Sequence, residues 1–368
     1  MTSSHPGRTP YTKEGGFARI LVTLLSPIGD TLFATPAIRL LRQSFPEAYI
    51  AALAFPTNQG ILEDNPDLDR IFTYPTLEWW PGWGYYAGLF KELRALSFDL
   101  AVDLCTAFWI SRLLMAPRRR VRMRFDPLWW LAPRRPTQET NSHAVYRYMT
   151  ALEPLGLREA DPRPCLSLTV EEREFAEAFI RRQGLGQGVP LIAIHPGGEG
   201  FGGKKCWRAE GFAAVGKALG RRYEARILLL GGDGDRERAR WVARQIGRPA
   251  INGTGGTTLK QTAALLERCQ LFIGNDSSPL HIAAAMGAPV VGIYGPSNPA
   301  NFYPFGVRHA IVRARRPCAP CFHFIGSAPL WKRNACRSCR ALKEITVKEV
   351  LAAAEGLLYT SSRPANAA

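Results

Sequence analysis

No stretch of the 368-residue chain is apolar for long enough to cross a bilayer, which takes about 18 residues in succession. The first apolar run, residues 20–25, is too short for the core of a secretory signal and follows a polar lead-in containing Pro and Gly. A cytoplasmic protein is therefore expected, and a peripheral seat on the inner face of the plasma membrane is compatible with that. No internal repeat stands out, so the chain is not read as a repeat array. A P-loop is missing too: in "GGKKCW" the second Lys is followed by Cys206, where the phosphate cradle needs Ser or Thr. Acidic residues are scarce. Asp and Glu number 31 against 47 Lys and Arg, a net charge of +16. That surplus points to an anionic partner, whether nucleic acid, phosphorylated substrate or anionic membrane surface, and charge alone does not choose. With no secretory signal, the eight cysteines read as thiols or metal ligands rather than disulfides.

What the chain has is alternation. "RILVTLL" (19–25) reads as a buried strand and "TLFATPAIRLLRQSF" (31–45) as an amphipathic helix, with further strands expected at 49–54, 70–74 and 99–104. A second set runs through "PLIAIHPGG" (190–198), "RILLLGG" (226–232), "LFIGND" (271–276) and "PVVGIYG" (289–295). Each of these ends in Gly, Asn, Asp or His and gives way to a helical pattern. The pattern predicts two doubly wound α/β domains on parallel sheets, with ligand sites beyond the carboxyl ends of the strands. The expected division is a flexible lead-in 1–18, a first domain 19–170, a second domain 171–345, a final helix 346–358 and a disordered tail 359–368.

The strand ends hold the candidates for chemistry. In "SPIGD" (26–30), Gly29 permits a tight turn and Asp30 falls near the start of a helix. Asp30 is either a helix cap or a carboxylate general base. In the Gly-rich segment 195–215 backbone N–H groups could approach a phosphate, with lysine adding charge; a solvated surface loop fits the spacing equally well. After Gly232, any of Asp233, Asp235 and Glu237 could hold a pair of ribose hydroxyls or simply favour the start of a helix. In "GNDSSPLH" (274–281) a helix should begin near Ser277 or Ser278, with Pro279 in its first turn. Its unpaired N–H groups form an anion site. Ser277, Ser278 and His281 can donate to a phosphate or sugar, whereas Asp276 would repel a phosphate unless it takes hydroxyls or caps the helix. A half-buried structural His is the other reading of His281.

Through these residues the chain resembles the heptosyltransferase-type glycosyltransferases of family 9. The resemblance runs from about residue 19 to 358 and rests on ordered motifs: "ILVTLLSPIGDTLFATPAIRLLRQSFPEA", "HPGG" then "KKCWRAEGFAAV", "LLLGG", "GNDSSPLHIAAAMGAPVVGIYGPSNP" and "PCAPC". It implies a GT-B fold, with two Rossmann-like domains facing across a cleft and the last helix packing back on the first domain. It implies inverting transfer of a sugar, heptose from ADP-heptose, onto the lipopolysaccharide inner core, with no catalytic metal. It carries the role of base to Asp30, diphosphate contact to Lys205 and donor contact to Asp276. Arg208 stands where the family's K-x-W-P pattern has Pro, and Ser278 where the family usually has Gly, which puts the local geometry of both turns in question.

Two features lie outside these motifs. Residues 112–135 carry eight arginines among "FDPLWWLAP", near "LEWWPGWGYY" (77–86). That mixture suits an anionic, amphipathic surface such as lipid headgroups, and solvated arginines over core aromatics would look the same. Cys318, Cys321, Cys336 and Cys339 form paired C-x-x-C motifs close to the spacing of a four-cysteine structural zinc site, with reduced thiols in a loop as the plain alternative. The rival functions are a family-9 transferase using another nucleotide sugar, a GT-B enzyme of different chemistry such as a sugar-nucleotide epimerase, and a basic zinc-ribbon protein binding nucleic acid. Carboxylates at the strand ends disfavour the last, and no nucleic-acid partner is expected.

Overall fold

The computed structural model describes residues 16–75, 82–105, 119–122, 142–159, 161–185, 188–198, 205–321 and 339–361. The expected flexible lead-in lies almost wholly, and the tail largely, outside them. The chain divides into two compact units. The first holds the described residues up to Arg122 together with Val145–Pro162, and the second holds Ser142–Ala144 and everything from Arg163 onward.

The first unit contains β1 (Arg19–Leu24), α1 (Ile28–Ser44), β2 (Tyr49–Ala54), α2 (Gln59–Leu62), β3 (Arg70–Thr73), α3 (Trp83–Ala95), β4 (Leu100–Asp103) and β5 (Arg119–Arg122), and takes most of α4 (Ala144–Met149). Its five strands are parallel in the order β3-β2-β1-β4-β5. β1 is central, so five of its six residues are buried. A strand covered on both faces is written as a continuous apolar run rather than an alternation, and for that reason "RILVTL" was readable.

The second unit contains α5 (Val170–Arg182), β6 (Leu191–His195), α6 (Ala209–Arg222), β7 (Arg226–Leu229), α7 (Arg236–Ile246), β8 (Ala250–Asn252), α8 (Leu259–Glu267), β9 (Leu271–Asn275), α9 (Ser278–Ala285), β10 (Val290–Tyr294), α10 (Pro299–Phe302), β11 (His309–Arg313), α11 (Arg340–Glu344) and α12 (Val347–Ser361). Its six strands are also parallel, in the order β11-β10-β9-β6-β7-β8. Two doubly wound α/β units are thus the fold class expected from the sequence.

Both sheets reverse direction once. The chain steps outward from β1 to β3 and returns to place β4 beside β1; it steps from β6 to β8 and returns to place β9 beside β6. Loops leaving such a neighbouring pair part in opposite directions and open a crevice at the carboxyl ends. Thr23 lies opposite Asp103 at the first of these points and His195 opposite Gly274 at the second.

The structure differs from the expected division in two places. The boundary between units falls at residue 162 rather than 170, because α5 packs on α8 and ties to it through Arg173–Glu267, while Arg268 just past α8 pairs with Glu177. The last helix, expected on the first domain, packs on α6 and on β9, β10 and β11. Val350 and Ala354 are buried in that core, and Glu355 pairs with Arg222 of α6. The strands β5, β8 and β11 were not anticipated: β5 is three Arg in four residues, and β8 and β11 each bury a single residue, so none reads as an apolar run.

Candidate active site

In the second unit, three segments converge at the carboxyl ends of β6 and β9. The anchor is Asn275, the fully buried last residue of β9. Its side-chain Oδ1 accepts from the Trp207 backbone N–H at 2.9 Å, and its Nδ2 donates to the Gly197 carbonyl at 2.7 Å. The loop after β6 and the start of α6 are thereby pinned to the next strand. Asp276 follows. Its buried carboxylate accepts from Lys205 Nζ at 2.7 Å and lies 3.4 Å from His281 Nε2 on α9. Burial on its own would push this carboxyl up, but the Lys205 charge and the His281 hydrogen bond outweigh it and hold it well below the usual carboxylate range.

The chain then turns into α9. Ser277 is its N-cap in extended conformation, Ser278 its first residue and Pro279 its second. The N–H groups of a first turn have no acceptor within their own helix, and the helix dipole adds partial positive charge there. The Ser277 side chain does not cap: its Oγ lies 3.2 Å from His195 Nδ1 and 3.2 Å from the Asn275 carbonyl. The other ring nitrogen of His195, Nε2, lies 3.2 Å from Asp235 Oδ2. Asp235 also accepts from the backbone N–H groups of Gly198 at 3.2 Å and Gly232 at 3.0 Å. Burial pushes the Asp235 carboxyl up, and the His195 and backbone hydrogen bonds more than reverse that, leaving it below its ordinary value.

Lys205, Asp276, Ser277, Ser278 and His281 lie together at the end of β9 and the start of α9. Of the three acids after Gly232, Asp235 is bound into the cluster, Asp233 pairs with Arg236 at the surface, and Glu237 is exposed on the first turn of α7. The glycine that matters in this turn is not Gly232, whose φ of −80° suits any residue. In this turn it is Gly231, with a φ of +155°, where a Cβ would meet Asp235, and in the loop after β6 it is Gly197, where a Cβ would overlap the Asp235 carboxylate. Arg208 in place of Pro has a physical account. As N-cap of α6 it keeps a φ of −61°, a value Pro would also adopt, and its guanidinium donates to the Ile345 carbonyl at 3.1 Å. The indole Nε1 of the fully buried Trp207 donates to the same carbonyl at 3.1 Å. Ser278 has no positive φ, so the helix begins normally without Gly.

In the first unit, α1 begins at Ile28 with Pro27 as N-cap. Asp30 is therefore the third helical residue rather than the cap, and Gly29 lies inside the first turn rather than ahead of it. Asn58 braces the turn by donating from Nδ2 to the Ser26 carbonyl at 2.6 Å. The carboxylate of Asp30 accepts from the Tyr148 hydroxyl at 2.9 Å. Burial, then the Asp30 charge, hold the Tyr148 phenol well above its ordinary value, so it stays protonated and donates. Nearby in the sheet, Thr23 Oγ1 donates to the buried Asp103 at 2.8 Å.

Tyr148, His195, Asn275, Thr23 and Asp103 were not singled out by sequence. All but Tyr148 lie at or near the carboxyl end of a strand beside a reversal point, the one signal that could have found them. Among the described residues, no cluster of three or more His, Cys, Asp or Glu side chains is set to hold a metal ion. Cys336, all of the Arg-rich patch except residues 119–122, and the Trp pair at 79–80 lie outside the described residues. Cys318 and Cys321 are exposed, and Cys339 is the N-cap of α11. Among the described residues no helix is long and apolar enough to cross a membrane.

Comparison with known proteins places this geometry in a lineage. A family model described as glycosyltransferase family 9 (heptosyltransferase) matches residues 86–331. The chain is 25% identical over 296 residues to the lipopolysaccharide core heptosyltransferase OpsX of Haemophilus influenzae, covering 78% of this chain and 81% of that protein. Among solved structures, a family 9 glycosyl transferase from Veillonella parvula is similar with a TM-score of 0.73 at 25% identity, covering 94% of this chain and 98% of the other. The ADP-heptose lipopolysaccharide heptosyltransferase II of Escherichia coli shares the fold with a TM-score of 0.70 at 24% identity, covering 94% and 100%.

Proposed function

The chain belongs to glycosyltransferase family 9, and from that premise we propose that it transfers heptose from ADP-heptose onto the inner core of lipopolysaccharide, with inversion at the anomeric carbon. The observation that carries this reading is the second unit's cluster: a lysine and the N-terminus of α9 meet at the β6/β9 reversal point, where an α/β sheet holds a diphosphate.

In this reading Asp30 takes the proton from the acceptor hydroxyl, held in orientation by Tyr148. The hydroxyl oxygen attacks the anomeric carbon and the bond to the diphosphate oxygen breaks on the opposite face. Lys205 and the N–H groups of Ser277 and Ser278 receive the negative charge that develops on ADP, so the residues themselves supply what a catalytic metal would. Asp276 takes hydroxyls of the donor while holding Lys205 in place, and His281 holds Asp276. Removing one preorganised donor of this kind costs about 10²–10³ in kcat, and Lys205→Ala is expected to fall in that range.

The protein is expected to work on the cytoplasmic face of the inner membrane. Its basic, Trp-bearing segment around 112–135 would meet anionic lipid, and vesicle binding should weaken as salt rises. The four cysteines 318, 321, 336 and 339 would hold a structural zinc, checked by metal analysis of protein purified without chelator. The deciding experiment is turnover with ADP-heptose and an inner-core acceptor, run beside calorimetry with ADP-heptose, UDP-glucose and GDP-mannose. Turnover with ADP-heptose that collapses in Asp30→Asn while donor binding persists is the expected result. Selective binding of another nucleotide sugar would replace the donor, and full turnover by Asp30→Asn would remove Asp30 as the base.

A further inference from the structure

The side chains Asp235, His195 and Ser277 form a continuous relay that the donor-binding reading does not use. It runs from Asp235 Oδ2 to His195 Nε2 at 3.2 Å, and from His195 Nδ1 to Ser277 Oγ at 3.2 Å. His195 is only 2% exposed, so its two ring nitrogens have these two partners and little water. The Ser277 hydroxyl has one proton and two acceptors in reach, His195 Nδ1 and the Asn275 carbonyl, both at 3.2 Å. Where that proton goes depends on the imidazole.

With a neutral ring, Asp235 fixes the tautomer: Nε2–H donates to the carboxylate and Nδ1 carries a lone pair. Ser277 must then donate to Nδ1 and turns oxygen lone pairs outward, which repels an anion. With a proton added, Nδ1–H donates to Ser277 Oγ, and the serine proton is released toward the Asn275 carbonyl or a phosphate oxygen. One proton enters from solvent, one N–H bond forms, and the charge stays balanced against Asp235.

We propose that His195 is a positioning residue that sets the direction of the Ser277 hydroxyl, so that a nucleoside diphosphate binds at the start of α9 together with a proton. This rests on the reading that the donor diphosphate lies there. The surrounding groups leave Asp235 as the direct counter-charge. Asp276 on the β9 side is paired with Lys205 and His281; the Cys206 sulfur and the His195 ring both border Gly198; and the Arg238 guanidinium on α7 is directed to the carbonyls of Pro196 and Trp207. Asp235 itself is held in its charged form first by the His195 ring and then by the backbone N–H groups of Gly198 and Gly232, against its burial.

The test is calorimetry of ADP binding to the full chain at matched ionic strength in two buffers of different ionisation enthalpy. It is run above about pH 7.5, past the second ionisation of phosphate. Uptake of a substantial fraction of a proton per ADP is expected in the wild type. His195→Gln, which keeps a donor to Asp235 but cannot titrate, should abolish the uptake and weaken ADP about tenfold. His195→Asn, whose amide reaches the Nδ1 position and donates to Ser277 permanently, should recover affinity without uptake. Nitrogen NMR of the ring should show both nitrogens protonated only with ADP present. ADP binding that depends on Ser277 but takes up no proton, or takes up the same amount in His195→Gln, overturns the relay and leaves the donor site standing. ADP binding indifferent to both Ser277→Ala and Lys205→Ala overturns the donor-site reading and the relay with it.

Discussion

Replacing Asp276 with Asn removes one charge and almost no volume, so it isolates what the carboxylate does. In the wild type it is buried, 2.7 Å from Lys205 Nζ and 3.4 Å from His281 Nε2. Removing one member of a buried ion pair typically costs about 3–5 kcal/mol, because the other charge is left without a partner. The Lys205 side chain keeps 17% of its exposure, and Asn still offers it an oxygen. Both moderate the loss, so the lower end applies, about 3 kcal/mol. At about 2–4 °C per kcal/mol for a unit of this size, the melting temperature of the second unit should fall by roughly 6–12 °C. The sign of the pH dependence follows from the carboxyl's lowered value in the folded state. Its contribution is complete above the ordinary Asp value of 3.8 and is lost as pH falls below it. The gap between wild type and Asp276→Asn should therefore be constant from neutral pH down to about pH 5 and narrow in more acid solution. Thermal melts across pH, with Lys205→Met and the double variant completing a cycle, measure both quantities. A variant that melts within about 1 °C of wild type at neutral pH, or a cycle with no coupling, would refute the reasoning.

Other outcomes follow from single contacts. Gly197→Ala drives a methyl into the Asp235 carboxylate and should cost about 1–3 kcal/mol by denaturant melts, whereas Gly232→Ala, with open space around it, should stay within about 0.5 kcal/mol. Tyr148→Phe removes a hydrogen bond to a charged group and should cost about 1.5–3 kcal/mol in stability and lower kcat, read by melts and initial rates. Trp207→Phe loses the indole donor, but the Ile345 carbonyl keeps Arg208, so the hydrogen-bond loss is only about 1 kcal/mol; Trp207→Ala should cost about 3–5 kcal/mol.

The sequence was legible where the structure is local or covered on both faces. β1, β2 and β9 are central strands whose apolar runs admit no other reading. The start of α9 was legible because Pro279 and the two serines act within one turn. Asp276 was legible only as a puzzle, since a carboxylate at an anion site makes sense once Lys205, 71 positions away, is seen to neutralise it. Contacts of long sequence separation were hidden altogether. Tyr148 reaches Asp30 across 118 positions, His195 reaches Asp235 across 40, and Trp207 reaches Ile345 across 138. No periodicity encodes such pairs. Three strands were hidden for a different reason: β5 is three Arg in four residues, and β8 and β11 each bury a single residue, so none forms an apolar run.

The clasp of Trp207 and Arg208 on Ile345 orders events during synthesis. Every side chain of the candidate donor site, from His195 to His281, leaves the ribosome well before residue 345 does. Until then the indole nitrogen and the guanidinium lack the carbonyl that fixes them, and α12 cannot cover the sheet beneath. A chain stopped short of Ile345 would carry all the named site residues with the Trp207 indole and the Arg208 guanidinium lacking that acceptor. The residues of the candidate site thus precede, in the order of synthesis, the carbonyl on which Trp207 and Arg208 close.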